Sequence, residues 1–253
     1  MTVAASVSGS RLRRFTVKYH WLGPAVWMAS VLYFVAQIFV GWIWNPPYSF
    51  VDNTISDLGN SACGPFGGSY VCSPRNLWMD AGFIGLGVVM AAGSLLLHQE
   101  FTERDRRERR FSFLGFLCLG LGGLGAILVG LRPENTVRVL HVTGAGFAIG
   151  VGNVGILLIG LGVRLPARLR GYSICFSLLS LVALLLFACH RYFGLGAGGM
   201  ERVAAYPETI WMIRFGIYIS RDHYLKARED PVSATVGETS SHGLRGDLGE
   251  VPT

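Results

Sequence analysis

The sequence predicts an all-α fold: a polytopic transmembrane bundle of six helices, both termini cytoplasmic, with an ordered extracytoplasmic loop between helices 1 and 2. Three observations carry that prediction. Of the 253 residues, 51% are apolar and only 15% charged, and the mean hydropathy of +0.43 is too high for an ordinary soluble domain. Six stretches reach the ~20 mostly apolar residues a helix needs to cross the hydrocarbon core; they lie near 20–44, 77–98, 112–131, 140–163, 172–193 and 201–220. Finally, 17 of the 22 Lys and Arg residues fall on one side of these spans and 5 on the other, which places the richer side in the cytoplasm. The chain is therefore expected in the cell membrane as a multi-pass protein, of the bacterial inner-membrane kind. The net charge of +6 does not point to nucleic acid, because the basic residues end apolar runs instead of gathering on one exposed face.

In order, residues 1–18 form a basic cytoplasmic arm with Arg11, Arg13, Arg14 and Lys18, a topology signal that can also rest on anionic lipid. The membrane domain covers 19–225, and 226–253 is a polar, Gly/Ser/Thr-rich stretch expected to be a disordered cytoplasmic tail. The first span is too long and too far in for a signal peptide and is read as retained. It ends in Trp42 and Trp44, aromatics suited to anchor at the interface.

The polar segment Trp44–Asp80 follows, and the chain is organised around it. Pro46 and Pro47 stop the helix, and Asp52–Gly59 reads as a helical turn or two that Gly59 can close. Cys63 and Cys72, nine positions apart on the oxidising side, read as a disulfide, worth roughly 2–3 kcal/mol by loop closure. Two thiols without nearby His make a poor metal site, and neither a metal nor a cofactor is read from the sequence. Cys118, Cys175 and Cys189 read as small core residues of the spans. Spans three and four are rich in Gly, including a G-x-x-x-G at Gly146 and Gly150, and are expected to form the tight centre of the bundle. The glycines do not make a phosphate loop, since they lie inside a span and lack the Lys-Ser/Thr ending.

Every outer helix end carries polar groups: Asp52 and Asp57, Asn76 and Asp80, Arg132 and Glu134, His141, His190, and Glu201 with Arg202. Together they are candidates to line one outward-facing cavity. Pro47-Tyr48-Ser49, the string Asp52 to Gly59, Leu140-His141 at the start of span four, and Gly199-Met200-Glu201-Arg202 followed by Trp211 resemble a six-span membrane family catalogued as domain of unknown function 998. The resemblance covers roughly 20–220 and implies a fold without an activity. It also implies that Tyr48, Ser49, Asp52, Thr54, Ser56, Asp57, Gly59, His141, Glu201 and Arg202 carry the family pattern, with the Cys63–Cys72 insertion as a local elaboration.

The function that asks least of these residues is an accessory or regulatory protein. It would bind a membrane lipid, an envelope-precursor head group or a membrane protein partner at the outer face, with Arg132, Arg138, Arg191 and Arg202 offering phosphate contacts. The alternative is an intramembrane lipid hydrolase or transferase, with Asp57, Asp80 or Glu201 and His141 or His190 as acid and base or as metal ligands. A small transporter is a further alternative, for which Glu208 inside span six is the main argument. A haem protein would pair His20 with His98 and His141 with His190.

Overall fold

The computed structural model describes residues 19–242, with side chains as far as Leu225. The basic arm 1–18 and the last part of the expected tail, 243–253, lie outside the described residues. The first span is two helices, α1 (Leu22–Met28) and α2 (Val31–Trp42). At their junction the Ser30 hydroxyl donates to the Trp27 carbonyl at 2.6 Å, a side-chain bond that competes with the helical ladder. The loop then forms a 3₁₀ turn, Ser56–Gly59, and a small antiparallel hairpin of β1 (Gly64–Phe66) and β2 (Ser69–Val71). Gly67 and Gly68 turn that hairpin with positive φ, where glycine is at home, and the Cys63–Cys72 disulfide closes its base.

Long helices follow: α3 (Asn76–His98), α4 (Arg106–Leu131), α5 (Arg138–Ala145), α6 (Gly152–Gly162), α7 (Ala167–Ala188) and α8 (Gly196–His242). A π-helical segment, Gly146–Val151, joins α5 to α6 in one span. The backbone of α8 continues past 225, where the tail was expected to begin. Among the described residues five helices are long and apolar enough to cross a membrane: Leu22–Trp42, Asn76–Phe101, Arg106–Leu131, Arg138–Gly162 and Ala167–Ala188. The sixth expected stretch, 201–220, lies in α8 and is not among them; it carries Glu201, Arg202, Glu208 and Arg214. The chain is a mostly helical membrane protein with one small hairpin.

Its surface is that of a protein in lipid, with Leu32, Trp42, Leu77, Trp78, Val139 and Leu185 all turned outward. Its centre is α4, where glycines replace side chains at the closest helix contacts. Gly87 of α3 faces Gly123 of α4, Gly125 faces Gly144 of α5, and Gly115 faces Gly155 of α6, each against the other's backbone. The Gly-rich spans thus pack as expected in lipid, where close approach drives association. The G-x-x-x-G pair does not take part: Gly146 faces open space, and a side chain at Gly150 would meet only Leu184. Both lie in the π segment, whose wider turn carries them off the face on which Gly144 and Gly155 meet α4, while Gly152 is turned to Glu208 of α8. Two other expectations change on burial. Cys175 and Cys189 lie on the surface and only Cys118 is half-buried; Trp44 is buried beside Tyr48, leaving Trp42 as the exposed ring.

Among the described residues three clusters fill the interior, a small one around Ala183, Met200 and Ala204 and two larger ones at the two ends. At the end bearing the Arg-rich 104–110 connector, Trp27, Phe101, Phe116, Trp211 and Phe215 stack edge to face or tilted, ring centres 4.7–6.3 Å apart. At the loop end, Tyr33, Val40, Trp44, Ile55, Leu58, Val71, Met79 and Phe83 pack the loop onto the bundle. The glycine contacts are directly testable. A side chain at Gly123 would press on the Gly87 carbonyl at 2.5 Å and the Ala91 nitrogen at 2.9 Å, and backbone cannot give way. Gly123→Val is expected to lower stability by about 1–3 kcal/mol or more, read as thermal unfolding in detergent, whereas Gly120→Ala, in open space, is expected to unfold like the parent.

Candidate functional site

The site begins with how the loop holds its shape. The Thr54 backbone N–H donates to Asp57 Oδ2 at 2.8 Å, and the Asp57 N–H donates to Thr54 Oγ1 at 3.0 Å. This reciprocal pair, built like a capping box, starts the 3₁₀ turn. Upstream, the Ser49 N–H donates to Asn53 Oδ1 at 2.9 Å, and the Tyr48 hydroxyl donates to the Thr54 carbonyl at 2.7 Å. Burial pushes the Tyr48 hydroxyl's pKa up; it also raises that of Asp57, against which the Thr54 bonds pull down. Glu134 is raised by burial first and by the charge of Asp57 second.

Arg202, buried near the start of α8, locks this loop to the bundle. Its Nη1 donates to the carbonyls of Phe50 and Asn53, each at 3.0 Å, and of Gly198 at 2.8 Å, while Nη2 donates to the Tyr48 hydroxyl. Nε donates to Tyr206 at 3.1 Å, and Tyr206 donates to Gln37 at 2.8 Å. The Phe50 and Tyr48 rings lie 5.0 and 5.4 Å from the guanidinium. Each of its nitrogens has a partner within the protein, so the guanidinium that was expected to offer a phosphate contact is turned to the loop.

Glu201, its neighbour, faces the turn. One carboxylate oxygen accepts the Ile55 N–H, and the other lies 3.0 Å from Ser56 Oγ. Ser56 Oγ is also 3.0 Å from Nε2 of His141, and His141 Nδ1 lies 2.8 Å from the Arg132 carbonyl. A carbonyl only accepts, so Nδ1 carries the hydrogen. The Ser56 hydroxyl then has one hydrogen for two acceptors, Glu201 and His141 Nε2. The second contact needs an added proton, on Glu201 or on His141, and the two arrangements interconvert through Ser56.

Behind Ser56 and Glu201 lies a cavity of about 50 Å³ whose walls include Tyr33, Phe83, Ala148 and, deeper in, Glu208 and Thr209. Glu208 Oε2 is 3.4 Å from Asn153 Nδ2, which also donates to the Ile149 carbonyl at 2.8 Å within the π segment.

Of the residues expected at one outer cavity, Ser56, Glu201 and Glu208 line it; Tyr48, Thr54, Asp57 and Arg202 build the clamp around it; His141 joins through Ser56. Asp80 lies alongside, accepting from Asn76 at 3.3 Å, with Oδ1 against Gly59 where a Cβ would not fit. Arg132 contributes its carbonyl. Ser49 and Asp52 bond each other at 2.8 Å on the surface. His190 is exposed and pairs with Tyr192 at 2.9 Å, apart from the site. The haem pairs do not form: the His20 ring meets His223, and His141 meets Ser56. Among the described residues no group of three or more His, Cys, Asp or Glu is placed to hold a metal ion. Tyr206 and Asn153 were missed. Tyr206 was legible, one turn along α8 from Arg202 and so on the same face; Asn153 was legible as a polar residue inside a Gly-rich span.

A family model described as a protein of unknown function, DUF998, matches residues 28–218, most of the chain. No curated protein and no solved structure matches it.

Two predictions test the clamp. Arg202→Ala leaves three carbonyls and two phenols without their donor and is expected to lose on the order of 3 kcal/mol, seen as earlier thermal unfolding and fast protease cleavage within 45–62; Arg202→Lys, which cannot reach all partners at once, is expected to recover less than half. Asp57 and Glu134 hold their protons to higher pH in the fold than in the unfolded chain. Their contribution is thus full at low pH and lost as pH rises through the raised values. The melting temperature is expected to rise as pH falls from neutral toward the ordinary carboxylate range, and Asp57→Asn to remove part of that rise.

Proposed function

We propose, for a chain that belongs to the DUF998 family, an outward-facing intramembrane hydrolase or transferase that acts on an acyl ester at the polar end of a membrane lipid. One observation carries the reading: Ser56 Oγ lies 3.0 Å from Nε2 of buried His141, whose Nδ1 is fixed on a carbonyl at 2.8 Å. Nucleophile, base and a third group that orients the base are the parts of an activated serine.

Neutral His141 takes the Ser56 proton as Oγ bonds the acyl carbon, and returns it to the departing alkoxide. Water, or the hydroxyl of a second lipid, then attacks the acyl-serine, gives its proton to His141, and Ser56 recovers it as the product leaves. The apolar walls of the cavity beside a polar end suit a lipid ester.

This reading sets both termini in the cytoplasm, the disulfide-bearing loop outside, and α8 as the sixth span. In support, α8 buries Trp211, Met212 and Phe215 in the bundle and satisfies the charge of Arg202 internally. A head-group-binding accessory protein is the second reading, favoured by the Arg138 side chain, largely exposed on the rim with Glu134 at 3.9 Å. A transport path is disfavoured by the aromatic plug of Trp27, Phe116, Trp211 and Phe215 in the other half of the bundle.

The test is a serine-directed fluorophosphonate on the protein in lipid nanodiscs. Ser56 is expected to label, Ser56→Ala to abolish labelling, and His141→Ala to slow it about 100-fold or more. A folded parent that stays unlabelled would move the assignment to the head-group-binding reading.

A further inference from the structure

Glu208 takes no part in the acyl chemistry. It sits seven residues beyond Glu201 on α8, about 10 Å along the axis, and is 4% exposed. Its Oε1 has no hydrogen-bond partner, and beside it Asn153 Oδ1 has none either. Asn153 cannot turn to serve Glu208 better, because its amide nitrogen is held by the Ile149 carbonyl at 2.8 Å. The cavity wall carries no Lys or Arg to compensate a carboxylate. Glu201 and Tyr33 are the titratable groups that face Glu208 across the cavity, Ser56 and Thr209 add hydroxyls, and α3, α4 and α5 present apolar side chains. A carboxyl with a bare oxygen in such a place is strongly disfavoured unless it is protonated and wet. The cavity that both glutamates line, about 50 Å³, has room for about three to five waters at about 10–15 Å³ each.

We propose that this cavity binds a short file of water and that Glu208 is a buried proton store, filled and emptied toward the loop end through the water, Glu201 and Ser56. Each transfer balances. Glu208 gives its proton to the adjacent water, the water passes one to Glu201, and Glu201 gives one to Ser56 Oγ as Ser56 releases its own to His141 Nε2 or to solvent. Ser56 is only half-buried, so the file reaches the surface there. The aromatic plug closes the other end, so the store communicates with one side of the membrane. This route goes beyond the acyl-transfer reading and stands without it.

The experiment is infrared spectroscopy of the protein in nanodiscs on exchange from H₂O to D₂O. A protonated carboxyl band is assigned to Glu208 by its loss in Glu208→Gln. In the parent the band is expected to shift within the mixing time, and in Glu201→Gln to exchange at least tenfold more slowly. Ser56→Ala, a smaller change, is expected to slow it likewise and serves where Glu201→Gln fails to fold. Absence of the band in the parent, a band that does not shift over hours, or exchange equally fast in both variants would each overturn the proposal. The readout is independent of acylation: a protein that ignores the fluorophosphonate but exchanges at Glu208 loses the enzyme reading and keeps the relay.

Discussion

A buried guanidinium that must be satisfied without water sets the loop end of this molecule. Arg202 meets the demand with three backbone carbonyls and two phenols, and two of those carbonyls, from Phe50 and Asn53, belong to the loop. The loop can serve them only in one conformation, the one that Thr54 and Asp57 also favour. Because Arg202 is solvated by neutral groups, Glu201 is left to accept from Ile55 and Ser56. Successive helical residues point about 100° apart, so one side chain grips the start of the loop and the next grips its turn. Ser56 reaches His141 as the result.

The other half of the pair depends on helix ends. The last carbonyls of a helix lack intrahelical donors, and Arg132, capping α4, offers one that His141 takes up. His141 lies in the first turn of α5, and α5 approaches α4 closely because Gly125 and Gly144 meet without side chains between them. Packing at the middle of the bundle therefore fixes a ring orientation at its end. Beside this packing lies the π segment, whose Ile149 carbonyl takes the Asn153 amide, and Glu208 is left with one long contact and a bare oxygen.

The first five spans, the tight Gly-rich centre and the disulfide were legible because each rests on a local signal: hydropathy over a span, small residues in a helix, two cysteines in a loop. The site was legible as a set of polar helix ends and no further. Nothing local separates His141 from His190, since both stand beside helix ends; one is buried against a carbonyl and the other sits exposed beside Tyr192. Arg202 read as a phosphate contact because guanidinium chemistry is the same inside and out, and only burial decides which partners it finds. The break at Ser30 and the π segment were hidden because hydropathy is blind to the hydrogen-bond register within an apolar run.

The two carboxyls of α8 show why sidedness matters to what this site can do. Glu201 is met by a backbone N–H and a hydroxyl, whereas Glu208 has one long contact and a bare oxygen. Moving along α8 from the loop, polar partners thin out until Trp211 and Phe215 enter the aromatic cluster. Besides Asn153, the polar groups on the cavity wall that Glu208 shares are Thr209, Tyr33, Glu201 and Ser56, the last two at the loop end. A site graded in this way gathers its polar groups at the loop end, beside Ser56 and His141, and sets apolar rings at the other.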